Sequence, residues 1–121
     1  MKTAFVFAAG LFDVAIVVFH VLFWRLFHWP ESLAGSGRLN SAITQTLNVM
    51  LTYVFAVYAA ALLWQGSGAG PALLLPGVGF GILRIWLQVR LFGVESRLSR
   101  VFTGLMALGT FLHLIPSAIP G

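Results

Sequence analysis

The chain has 121 residues, of which 60% are apolar and only 8% charged, where a soluble domain carries roughly a quarter charged. Its mean hydropathy of +0.97 excludes an ordinary soluble fold and implies an all-α integral membrane protein. The formal charge of +4 sits near the ends of apolar runs, where it reads as a topology signal and a contact for lipid head groups, which excludes nucleic acid as a partner. With no cysteine, disulfides, thiolate metal sites and thiol redox chemistry are excluded as well.

The first apolar run covers residues 4–27. Met1-Lys2-Thr3 ahead of it imitates a secretory signal, but Asp13 interrupts the run and no small-residue cleavage site follows, so a retained helix is expected. Residues 28–41, with Pro30, Gly35 and Gly37, form the first connection. A second run covers 42–64, a Gly/Ser turn covers 65–71, and a third run covers 72–92. The third run carries Gly77 and Gly81 in a G-x-x-x-G spacing that lets helices approach closely in lipid. A basic connection, 93–100, leads to the last run, 101–118. Each run is near the ~20 residues that cross a hydrocarbon core. Short connections make neighbours antiparallel, so residues 1–121 read as a single transmembrane domain, a four-helix bundle. Arg25, Arg38, Arg90, Arg97 and Arg100 flank the first and third connections, against Lys2 alone on the other face. The positive-inside rule therefore puts loops 28–41 and 93–100 in the cytoplasm and both termini outside, in a bacterial-type inner membrane.

An ionisable side chain facing lipid is costly and normally turns inward, so the polar residues should share faces. In the first run Asp13, His20, Trp24 and His28 follow steps of seven, four and four, one helical stripe. The second offers Ser41, Thr44, Gln45, Asn48 and Thr52, continued by Ala59; the third Gly77, Gly81, Arg84 and Gln88; the fourth Thr110, His113 and Ser117. Four such stripes meet along a polar axis. Counting from the middle of each run at ~1.5 Å per residue, His20, Asn48 and Gln88 fall on the cytoplasmic side and Asp13 and His113 on the outer side. Arg84 falls near the centre. Because Asp13 is the one carboxylate within a run, an ion pair between Asp13 and Arg84 is expected. Asp13, Arg84, His20, Asn48, Gln88 and His113 are the candidate ligand or proton site. Trp24, His28 and Gln45 are boundary contacts, with His28 beside Trp29 as a head-group anchor and Gln45 with Asn48 as interhelical glue.

The function expected from this axis is that of a transporter or ligand-binding protein for protons or for a small polar or anionic solute. Four short helices enclose little volume, so a homo-oligomer is expected, with the Gly77 and Gly81 stripe as its contact. Lipids, further copies of the chain and a small solute are the partners, and no cofactor or metal is required. One alternative is a haem or metal protein ligated by His20 and His113, opposed by a depth difference of about 10 Å between them. Another is an accessory subunit of a larger membrane complex. Enzymatic activity is disfavoured: no H-x-x-x-H, paired carboxylates or serine nucleophile motif is present, although His20 or His113 could act as a base.

Overall fold

A computed structural model describes residues 1–120. The described residues are mostly helical, with no strand. Helix α1 is Lys2–Val21, followed after Leu22 by a one-turn helix, α2, Phe23–Leu26. A short 3-10 turn, Glu31–Ser36, leads to α3, Arg38–Gln65; α4 is Pro71–Leu87 and α5 is Arg97–Ala118. All four long helices are long and apolar enough to cross a membrane. The expected runs are all present, extended by a few residues where polar groups can still hydrogen-bond within a helix. The first run is the exception. Its helix stops at Val21, and His28 lies outside it, exposed and with φ +54°, so the expected Asp13 to His28 stripe ends with the helix.

The boundaries follow local chemistry. Gly37, Gly66 and Gly93 adopt positive φ at the corners, where a side chain would be strained. Pro71 occupies the first turn of α4, where its missing N–H costs nothing. Ser96 caps α5 by accepting from the Ser99 amide. At its far end α4 loosens into a π-helical turn, Gln88–Phe92.

Helix α1 is the centre of the arrangement. It packs on both α3 and α5, and α4 packs on α5, whereas α3 and α4 are not packed along their length. The bundle is therefore an open arc, α3–α1–α5–α4, with a seam between its two ends. Glycines set its tightest contacts. A methyl group at Gly77 would collide with the His113 ring, one at Gly81 with the Thr110 side chain, and one at Gly109 with the Phe12 ring. The Gly77 and Gly81 stripe is thus used inside the chain, between α4 and α5, and not as an oligomer contact; Gly79, on the other face, meets nothing. A small cluster of Val6, Ala9, Leu62, Ala69 and Leu74 fills one end, while large apolar side chains such as Leu11, Val18, Leu47 and Leu108 face outward. That is the inside-out pattern a lipid-facing bundle needs.

Candidate functional site

Val6, Ala9, Gly10 and Asp13 are the buried residues of α1, one stripe at helical spacing. It delivers Asp13 to α5 with 4% of its surface exposed, against His113, which is 2% exposed. The His113 Nε2 lies 3.1 Å from Asp13 Oδ2, and Nδ1 lies 2.7 Å from the Gly109 carbonyl oxygen. The carbonyl can only accept, so Nδ1 carries a hydrogen and donates to it. A carboxylate facing a bare Nε2 would set two acceptors against each other. One proton must therefore lie on the Nε2 to Oδ2 line, held by the imidazole or by the carboxyl, and in either form the pair has no net charge. Gly77 leaves the space in which the imidazole lies. The Tyr58 ring runs nearly parallel to it, 13° between planes and 5.8 Å between centroids. The Tyr58 hydroxyl donates to the Leu73 carbonyl at 2.6 Å, tying α3 to α4.

Asp13 makes no other side-chain hydrogen bond among the described residues. No fully occluded side-chain oxygen or nitrogen there lacks a partner, so the free Asp13 Oδ1 opens onto accessible space. Asp13 lines a cavity of about 240 Å³ together with His113, Tyr58 and Thr110 and with apolar groups including Phe12, Phe55, Phe80 and Met106.

The other expected site residues do not join this pair. Arg84 is not a partner of Asp13: helix α4 is separated from α1 by α5, and the basic side chain within reach of Asp13 among the described residues is His113. The Arg84 guanidinium lies instead over the Phe102 ring, 4.7 Å from its centroid, and 5.6 Å from that of Phe92. Delocalised charge on an aromatic face is the compensation available to it. His20 Nδ1 donates to the Ile16 carbonyl at 2.8 Å, and its ring stacks on Phe23 and leans on Phe55. Asn48 donates to the His20 carbonyl at 2.9 Å and Trp24 Nε1 to Gln45 Oε1 at 3.1 Å, both joining α1 and α2 to α3. Gln88 donates to Ser99 at 2.8 Å, and Ser99 in turn to the Gly93 carbonyl. The single polar axis resolves into separate clusters, and of the six candidate site residues Asp13 and His113 line the cavity. Among the described residues no three metal-ligating side chains lie together. Tyr58 was not singled out from the sequence; its signal is its place three to four residues from the inward-facing Phe55 and Leu62.

Compared with known proteins, the chain matches no family model, no curated protein and no solved structure at a significant level.

Proposed function

We propose that the protein is an integral membrane protein whose Asp13–His113 pair is a proton site coupled to the binding or transport of a small solute in the adjoining cavity. One observation carries the reading: a buried carboxyl and imidazole share a proton beside a cavity, and one carboxyl oxygen is left without a partner. Ionisable residues inside a membrane are rare and costly, face the bundle interior and mark ligand, ion or proton paths. Coupling follows from charge. Loss of the shared proton leaves a net negative charge in a medium of low dielectric, so the site gives up its proton readily only when a hydrogen-bond donor on a bound solute stabilises the carboxylate. Arg84 does not line that cavity, so a proton or an uncharged polar group suits it better than an anion.

In this reading loops 28–41 and 93–100 face the cytoplasm of a bacterial-type inner membrane. One chain supplies every residue that lines the cavity; association of copies, measured by native mass spectrometry in mild detergent, would use surface other than Gly77 and Gly81. The test is nitrogen NMR of histidine-labelled protein in lipid bilayers. The His113 Nδ1 should stay protonated while the Nε2 signal shifts with pH, and Asp13→Asn should change that response. An Nε2 signal indifferent both to pH and to Asp13→Asn would remove the proton site.

A further inference from the structure

We infer that the cavity takes a small neutral lipophile bearing one hydrogen-bond donor, such as an aromatic alcohol or phenol, admitted from the lipid through the seam between α3 and α4. The inference rests on the Asp13–His113 reading and adds the class of ligand and its route.

Size comes first. A dry cavity of ~150 Å³ accepts a benzene ring, so about 240 Å³ accommodates one ring with a short substituent. The walls are the aromatic faces of Phe12, Phe55, Phe80 and Tyr58, which favour a flat ring at offset or edge contact.

Charge decides the substituent. With its shared proton the Asp13–His113 pair is neutral overall, so it needs no counter-charge. An anion would meet the carboxyl of Asp13. A cation would approach Arg84, one turn along α4 from the cavity-lining Gly81 and without an acidic partner among the described residues, and like charges repel strongly where water is scarce. A neutral donor meets neither obstacle and satisfies Asp13 Oδ1, the acceptor left open. Ligand pockets generally have this form: apolar walls and a few polar groups that fix orientation.

The route follows from the open arc. At the level of the cavity, α3 and α4 are bridged by the edge-to-face contact of Phe55 with Phe80, 4.9 Å between centroids, and by the Tyr58 hydroxyl on the Leu73 carbonyl. Val54 and Phe80 line the cavity and are 55% and 37% exposed, more than a closed cavity wall would allow. They therefore belong to the wall and the mouth at once. That mouth lies on the apolar flank of the helices, where a membrane would present acyl chains, and a neutral lipophile is the kind of molecule concentrated there.

The experiment uses the full chain in lipid nanodiscs, with empty nanodiscs correcting for partition. Four probes of one skeleton are compared by ligand-observed NMR: 2-phenylethanol, 2-phenylethylamine, phenylacetate and ethylbenzene. Saturable binding is expected for 2-phenylethanol, weaker by about tenfold or more for ethylbenzene, which lacks the donor. Asp13→Leu should erase the difference between those two. Val54→Trp, which leaves Asp13 and His113 untouched, should slow exchange of 2-phenylethanol, and Phe80→Ala should speed it. Tighter binding of the amine or the carboxylate would overturn the neutral-donor assignment. Equal exchange rates in the Val54 and Phe80 variants would overturn the route. A His113 signal that still depends on Asp13, with no probe bound, would overturn this inference and leave the proton site standing.

Discussion

Asp13 on α1 and His113 on α5 stand 100 positions apart in the chain and meet at 3.1 Å, each almost fully buried. A pair in that position cannot lose one member quietly. Asp13→Ala leaves Nε2 without its partner, and His113→Ala leaves a carboxyl in an apolar cavity. Each should cost on the order of 3 kcal/mol and lower the melting temperature in detergent. The double variant should cost less than the sum of the two. Additive losses in thermal denaturation would mean that the two groups do not interact.

Arg84 makes a contrasting case, since its charge rests on Phe102 and Phe92 and not on Asp13. Combining Arg84→Gln with Asp13→Asn should give additive changes in melting temperature. Phe102→Leu should weaken the protein by about 1–2 kcal/mol where Arg84 is present and by less where it has been replaced by Gln. A strong Asp13 to Arg84 coupling in the same measurement would contradict the arrangement.

The glycine positions on α4 provide their own control. Gly77→Ala and Gly81→Ala insert a methyl group into His113 and Thr110 and should destabilise by about 1–3 kcal/mol. Gly79→Ala, on the open face, should be neutral or slightly stabilising because alanine is the better helix former. The order of the three melting temperatures tests whether the stripe faces α5.

For orientation, the five-to-one distribution of Lys and Arg leads to a direct outcome. Reporters fused at the C-terminus and inserted between Glu95 and Arg100 should report opposite sides of the membrane, with the C-terminus outside. A cytoplasmic C-terminus rejects that orientation.

Much of the arrangement was legible in the chain. Hydropathy marks four runs because backbone groups in an apolar medium must be satisfied within a helix, and the four long helices follow those runs closely. Counting residues from the middle of each run put Asp13 and His113 on the same, outer side of the centre, and they touch. The error lay in choosing the partner of Asp13 by formal charge. Arg84 complements a carboxylate in charge, but nothing in a helical period says which helices are neighbours or how each is rotated.

Those two quantities belong to the tertiary structure. Gly77, Gly81 and Gly109 pull α4 onto α5 and α5 onto α1, so α5 stands between Arg84 and Asp13 and supplies His113 instead. Composition and periodicity alone determined that the chain is helical, apolar on its outer faces and burdened with an acid it must turn inward, because the cost of exposing such groups depends only on residue type and spacing. Packing decided which imidazole receives that acid, where α3 and α4 part, and that a cavity lies between them, because contact between helices depends on the shapes of surfaces that come from different parts of the chain.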